Sequence, residues 1–309
     1  MKIALVGPGA MGCLFAVYLA EAGHEVRVLD HRPERAKLLS SQGLFVEGIR
    51  GEHHQRVRVS VLAEDVTDAE LILVCVKSYH TREAITAVAP ALNPQARVLT
   101  LQNGVGNIET LAEAVGLERV FGGVTSQGAT VLAPGRVRHA GLGQTVIGAA
   151  ASAGQEEMLG RAAAALHQAG IETRIDNRVE SLIWSKLMVN VGINALTALT
   201  RLRNGQLLDY AGIVSLMEKA VLEALCVAEA LRIPLIHEDP VAQVKAVARA
   251  TAGNVSSMLQ DVLARRRTEI DSINGAIVEH GQRLGLATPV NETLTMLVRT
   301  VESSYGAGL

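Results

Sequence analysis

Cysteine is scarce: Cys13, Cys75 and Cys226 are the three in 309 residues. They lie far apart along the chain and follow no metal-ligand spacing, so no metal centre is expected. Cys13 and Cys75 sit in apolar surroundings and read as inert core thiols. An excess of one charge is also missing. Lys and Arg number 29 against 31 Asp and Glu, a formal net charge of −2, and no basic block stands out. That argues against a nucleic-acid partner or a polybasic membrane contact. No run of about 18 uncharged apolar residues is evident, so no membrane span is expected. The N-terminus already reads as a strand, which leaves no room for a signal peptide, and a cytoplasmic location is expected. Internal repeats and low-complexity linkers are absent. What remains is a chain 49% hydrophobic and 19% charged. It can bury a sizeable core and is long enough for one large or two ordinary domains.

The most informative segment is Lys2-Ile3-Ala4-Leu5-Val6-Gly7-Pro8-Gly9-Ala10-Met11-Gly12. An apolar run leads directly into Gly-x-Gly-x-x-Gly, and Cys13 to Ala22 follow without a helix breaker. Gly7 permits a tight turn, Gly9 lets backbone approach a pyrophosphate, and Gly12 lets the helix pack on the strand. The helix N-terminus then faces the phosphates. Alone the motif is weak. Here a strand precedes it, a helix follows, and a second strand, Glu25–Leu29, completes the βαβ context.

The first half continues to alternate. Strands are expected at Lys2–Val6, Glu25–Leu29, Leu71–Val76, Val98–Leu101, Val120–Val124 and Thr145–Ile147. Helices are expected at Gly12–Ala22, Pro33–Gln42, Thr81–Ala91 and Gly106–Val115. Such alternation implies a mostly parallel, doubly wound sheet, a Rossmann-type α/β domain. Gly43–Val61 and Val131–Ile147 read as β-rich excursions or an antiparallel edge. A helix at Glu156–Ala169 and a short strand at Thr173–Ile175 end this half. Beyond Asn177 the helical period takes over, with helices at Val179–Thr200, Tyr210–Ala230, Pro240–Arg249, a stretch around Ser256–Leu284, and Pro289–Ser304. The division is therefore a dinucleotide-binding domain, 1–177, followed by an all-α domain, 178–309. The long apolar helix around Ile183–Leu199 reads as core or as a dimer interface, so a homodimer is one expectation. Gly306 to Leu309 are expected to fray.

In an open parallel sheet, ligands bind beyond the carboxyl ends of the strands. Lys77 directly follows the strand ending at Val76, and Asn103 follows Val98–Gln102 and precedes Gly104-Val105-Gly106. Singly, Lys77 reads equally as a solvated strand-end lysine and Asn103 as a turn residue before glycine. Together, on one rim, they favour a site. In the helical half, Lys186, Asn190 and Asn194 are spaced i, i+4, i+8. A drift of about 40° per step keeps all three near one helix face. Among apolar neighbours that row would be costly to bury unpaired. It suits the lining of a polar site better than a solvated stripe. A third cluster holds Asn254, Ser256, Ser257, Asp261 and Glu269. On one straight helix Ser257 and Glu269 would be about 18 Å apart on different faces, so they share a site only if the chain bends. The competing roles are a helix cap for Ser256 or Ser257 and an exposed ion pair for Glu269.

Read in order, Gly7-x-Gly9-x-x-Gly12, Val76-Lys77, Gln102-Asn103-Gly104, Lys186-x-x-x-Asn190-x-x-x-Asn194, Ser256-Ser257-Met258-x-x-Asp261 and Thr268-Glu269-Ile270-Asp271-x-Ile273-Asn274-Gly275 resemble the ketopantoate reductase (2-dehydropantoate 2-reductase) family over nearly the whole chain. The resemblance implies a Rossmann domain followed by a helical domain, with the active site in the cleft between them. It implies hydride transfer from NADPH to the C2 ketone of 2-dehydropantoate, giving (R)-pantoate on the way to pantothenate and coenzyme A. Lys186 would be the general acid and Glu269 the second catalytic residue. Asn103, Lys186, Asn190, Asn194, Asn254 and Ser257 would contact substrate. The loop Gly7, Pro8, Gly9, Ala10, Met11 and Gly12, with His31, Arg32, Lys77 and Asn103, would hold the cofactor. One departure concerns Asp30, since an acid at the end of the second strand commonly binds the ribose hydroxyls of NAD(H) and repels a 2′-phosphate. The resemblance puts NADP(H) first, with His31 and Arg32 taking that phosphate, and Asp30 keeps NAD(H) open. The alternatives are a related reductase of another 2-oxo or 3-hydroxy acid and a dinucleotide-binding sensor without turnover. Lys186 with Glu269 favours an enzyme, because a sensor needs no proton donor.

Overall fold

The apolar runs of the first half become strands buried on both faces. In the computed structural model, which describes residues 1–151 and 154–306, Ile3 and Leu5 of the first strand pack with Leu14, Phe15 and Leu39. Ala4 and Val6 face the other way, toward Ile72, Val74, Ile85 and Leu111. A strand with helices on both sides has no polar face, which is why the sequence shows a continuous run there. The strands are β1 (Lys2–Val6), β2 (Glu25–Leu29), β3 (Leu44–Gly48), β4 (His53–Gln55), β5 (Arg58–Ser60), β6 (Leu71–Val74), β7 (Arg97–Thr100), β8 (Val120–Thr125), β9 (Gly128–Ala133), β10 (Arg136–Gly141), β11 (Thr145–Ala149) and β12 (Thr173–Ile175). The helices of this half are α1 (Ala10–Glu21), α2 (Pro33–Gln42), α3 (Thr81–Val88), α4 (Asn107–Val115) and α5 (Glu156–Gln168).

Eight strands form one sheet in the order β12-β11-β8-β7-β6-β1-β2-β5. It is parallel apart from β11 and β12, which run opposite to the rest. The chain winds outward from β1 to β2 and β5, then returns to the other side of β1 with β6. The switch point therefore lies between β1 and β6, where an open α/β sheet offers a ligand crevice. The two β-rich excursions meet each other: β3 and β4 join β10 and β9 in a second sheet of order β4-β3-β10-β9. Only β5 and β11 from those excursions enter the main sheet. The small sheet packs on α1, whose Gly12 to Leu19 are all buried. That double cover explains a helix apolar on every side. Tyr18 of α1 donates to His139 Nδ1 of β10 at 2.9 Å, tying helix to small sheet.

The second unit contains α6 (Val179–Thr200), α7 (Ala211–Ala230), α8 (Pro240–Ala250), α9 (Ser257–Leu263), α10 (Asn274–Leu284) and α11 (Pro289–Ser303). Its core draws Leu187, Met188 and Val191 from α6, Met217 and Val221 from α7, Val244 from α8, Ile277 from α10 and Val298 from α11. At Gly192 a Cβ would come within 2.7 Å of Val244 and 2.9 Å of Val221, so only glycine lets α6 lie this close to α7 and α8. The stretch expected to be helical around Ser256–Leu284 is interrupted. Arg265 adopts φ +50°. The amide N–H of Arg266 donates to Asp261 O at 2.9 Å and that of Arg265 to Val262 O at 3.0 Å. This is a Schellman closure, with arginine where glycine is usual, and nothing in the apolar periodicity announced it. By length and composition alone α6 is long and apolar enough to cross a membrane, although Glu180 and Lys186 interrupt its apolar run. Most of that stretch is buried, as in a core helix. The expected fraying falls, for 307–309, outside the described residues, while Ser304–Gly306 form a single 3-10 turn.

The units are residues 1–102 with 106–179, and residues 103–105 with 180–306. A single cut at 177 would leave Asn103–Val105 with the sheet. The structure groups them with the helical unit instead, and the N–H of Val105 donates to Ser272 O at 3.2 Å.

Candidate active site

The dinucleotide loop is built from β1 outward. Gly7 has φ +100°, and a Cβ there would lie 2.6 Å from Val76 Cγ1. At Gly12 a Cβ would sit 2.0 Å from Gly7 O, so the helix could not approach the strand. Gly9 differs, because the nearest atom to its Cβ would be Cys75 O at 3.8 Å. Its lack of a side chain is not needed for packing and leaves the loop open to an incoming group. Gly9 is the N-cap of α1 and no side chain caps it. The helix begins at Ala10, two residues earlier than its periodicity implied, so the amides of Ala10, Met11 and Gly12 are first-turn donors. These features fit a pyrophosphate at a helix N-terminus.

Around that loop, β6 ends at Val74 and Lys77 precedes a 3-10 turn, Ser78–His80. Gln102, which periodicity did not single out, fixes this strand end. Its Nε2 donates to Val76 O and to Thr81 Oγ1, both at 2.8 Å, while Thr100 donates to its Oε1 at 2.9 Å. At the end of β2, His31 and Arg32 are exposed. Asp30 is not, since its side chain is fully buried and Arg35 grips it through Nε at 2.5 Å and Nη2 at 2.6 Å. Arg35 is a second residue that sequence reading missed. Its only signal was its place one turn into α2, five residues after the acid.

In the helical unit, Lys186 and Asn190 on α6 are partly buried and Asn194 is buried. Burial pulls the Lys186 pKa down to about 8, and the negative charge of Glu269 opposes that shift. Glu269 is itself 5% exposed, which removes the surface ion-pair reading. Asn103 Nδ2 donates to Glu269 Oε2 at 3.3 Å. Lys186, Glu269 and Asn103, far apart in sequence, thus come together. Asn190 Nδ2 is buried without a hydrogen-bond partner among the described residues, a donor left for something else to satisfy.

Glu269 is held by its own neighbours. The N–H of Thr268 donates to Glu302 Oε1 at 2.7 Å, and Ser272 Oγ donates to Glu269 O at 3.1 Å. Of the two serines, Ser256 takes the cap. It accepts from the N–H of Leu259 at 3.1 Å and lies 2.6 Å from Thr197 Oγ1, which reaches Asn194 O at 2.9 Å. Ser257 is left exposed, as is Asn254. Asn274, conspicuous in the motif, lies in the core, where its Nδ2 donates to Asn291 Oδ1 at 2.9 Å and Val191 O at 3.3 Å. Cys13 and Cys75 are pushed up to about 12 by burial.

Both halves of the chain are similar to known proteins. The family model "Ketopantoate reductase PanE/ApbA" matches residues 3–152, and its C-terminal counterpart matches 178–302. The chain is 39% identical over 305 residues to the 2-dehydropantoate 2-reductase of Halobacterium salinarum, covering 98% of this chain and 99% of that one. Among solved structures it is similar to a PanE/ApbA family ketopantoate reductase from Ralstonia eutropha, with TM-score 0.90, 35% identity and coverage of 98% and 99%. D-mandelate dehydrogenase with NADH and anilino(oxo)acetate superposes with TM-score 0.92 at 28% identity, again covering 98% and 99%. With both halves of the chain matched and its paired sheet and helical units accounted for, the protein belongs to the ketopantoate reductase PanE/ApbA family.

Proposed function

We propose that this protein reduces 2-dehydropantoate to (R)-pantoate with NADPH, using Lys186 as general acid. The observation that carries the reading is the partly buried Lys186, with a pKa of about 8 and Glu269 close enough to raise it. A lysine so placed is charged at neutral pH yet gives up its proton far more readily than one in water. Gly7, Pro8, Gly9, Ala10, Met11 and Gly12 would hold the pyrophosphate, with His31 and Arg32 at the 2′-phosphate and Lys77 and Asn103 toward the nicotinamide. When bound, the reduced nicotinamide supplies the hydride. As negative charge gathers on the ketone oxygen, the Lys186 ammonium stabilises it and transfers a proton to that oxygen. Glu269 holds the ammonium charged and oriented. The unsatisfied amide of Asn190, with Asn194, Asn254, Ser257 and Asn103, would fix the substrate's carboxylate and hydroxyl.

NADPH consumption over a panel of 2-oxo acids tests the substrate. The expected outcome is a clear preference for 2-dehydropantoate, and a preference for another acid overturns that assignment while sparing the fold. Lys186→Met should lower turnover by at least about a hundredfold, the usual worth of a general acid, with NADPH binding retained. An unchanged rate removes Lys186 from the role. A second reading, reduction of a different 2-oxo acid, is favoured by the close superposition of D-mandelate dehydrogenase at 28% identity. The same panel decides between them.

A further inference from the structure

The end of β2 carries an acid that, in the open, would favour NAD(H). Asp30 does not present its carboxylate in that way. Its side chain has no solvent exposure. Arg35 bridges both carboxylate oxygens, at 2.5 and 2.6 Å, and the N–H of Arg32 donates to Oδ1 at 3.2 Å. A planar guanidinium meeting a carboxylate edge to edge is the strongest and most directional way to occupy it. The same hydrogen bond raises the pKa of Arg35 further. Both lobes of the acid are therefore used within the protein, and its charge is neutralised one turn into α2.

What the strand end presents outward is of the opposite character. His31 and Arg32 are exposed, and Arg32 Nε donates to His31 Nε2 at 3.3 Å. The His31 ring lies 6.1 Å from that of His80, which follows β6 on the other side of β1. The pair brackets the end of the strand that leads into the glycine loop. α2 starts immediately afterwards, with Arg32 as its N-cap and no side chain capping it.

We infer that Arg35 is the residue that sets dinucleotide preference: by holding Asp30 inside, it converts an acid-ended β2 into a surface that accepts the 2′-phosphate of NADP(H). Arg35 is a positioning residue that acts through Asp30. The inference rests on the dinucleotide reading proposed above and adds the group that decides between the two cofactors. Freeing Asp30 would place a negative charge beside the phosphate and offer an acceptor to a ribose hydroxyl.

The test is equilibrium binding of NADPH, NADH and 2′,5′-ADP to the substrate-free protein, followed by fluorescence or calorimetry. The wild-type chain should prefer NADPH, and a preference for NADH sinks the NADP(H) reading together with this inference. Arg35→Leu should weaken NADPH and 2′,5′-ADP by about tenfold or more, the scale of an uncovered like charge, while NADH binding holds or improves. Adding Asp30→Asn to Arg35→Leu should restore most of the NADPH affinity. Asp30→Asn alone, which keeps the arginine, should leave the preference for NADPH unchanged or sharper. If wild type prefers NADPH but Arg35→Leu weakens both dinucleotides equally, or the double variant restores nothing, Arg35 is structural and the inference fails on its own. Should Arg35→Leu not fold, the double variant and Asp30→Asn carry the decision, and a fall in NADPH preference in either overturns it.

Discussion

Burial draws the Lys186 pKa from 10.5 to about 8, and the direction has consequences for rate and for stability. In the proposed role of general acid the lysine must be protonated. The kcat/KM for ketone reduction should therefore hold below about pH 8 and fall above it. In the reverse direction, where the same amine takes the proton from the alcohol, the rate should rise through that pH. A profile flat from pH 6 to about 10 would exclude Lys186 as the group being titrated. The stability sign is separate. Between about 8 and 10.5 the unfolded chain binds a proton that the folded chain does not, so this group makes stability rise with pH across that window. Below about 8 both states are charged and the contribution is level. Single residues are also where sequence reading reached its limit. The spacing of Lys186, Asn190 and Asn194 showed that they share a face, because helical geometry is local. That Glu269 is buried beside the first of them depends on a chain reversal more than eighty positions away. Asp30 could be seen as an acid at the right distance from the glycines. The guanidinium that occupies it was visible only once α2 had a direction.

Among the elements, two short connections set the helical unit's site, and each yields a measurable effect. Gly104 has φ +81°, and a Cβ there would lie 2.3 Å from Ser272 O. It follows Asn103, whose amide reaches Glu269. Gly104→Ala combines an unfavourable backbone conformation with a clash against a carbonyl. The expected loss is about 1–3 kcal/mol, seen as a lower thermal midpoint together with a raised KM for the 2-oxo acid. A variant with wild-type KM and midpoint would show that the segment gives way at no cost. The second connection is the cap of α9. Ser256→Ala removes the acceptor for the N–H of Leu259 and the link to Thr197, and should destabilise by about 1 kcal/mol. Ser257→Ala, exposed at the first helical position, should leave the midpoint unchanged while weakening substrate if it is a contact residue. The cap was legible as a choice between two adjacent serines. The break at Arg265 was not, because the left-handed residue that closes α9 is an arginine and no glycine or proline marks it. The alternation of the first half was read nearly element by element, since strand and helix periods differ there. The meeting of two distant excursions in a second sheet was not, since pairing partners leave no mark in either strand's own pattern.

Considered as a whole, the chain carries reporters for its two units, because the cysteines fall in different units. Cys13 and Cys75 lie in the sheet unit, with thiols held near pKa 12 by burial. Cys226 is exposed on α7. Only thiolate reacts with an alkylating agent, so in the native protein iodoacetamide at neutral pH should modify Cys226 first and once. Labelling of the buried Cys13 then requires the sheet unit to open, whereas the partly exposed Cys75 falls between the two. A dinucleotide that binds the glycine loop of the closed form stabilises it by mass action, about 2.7 kcal/mol at a hundredfold excess over Kd. Modification of Cys13 should slow by about a hundredfold under that condition, with Cys226 labelled at the same rate as before. Mass spectrometry of each cysteine peptide over time makes the comparison within one sample. If Cys13 reacts as fast as Cys226, the helix that follows the glycine loop is not packed as described. If NADPH slows Cys226 as strongly as it slows Cys13, the dinucleotide does not act through the first unit alone.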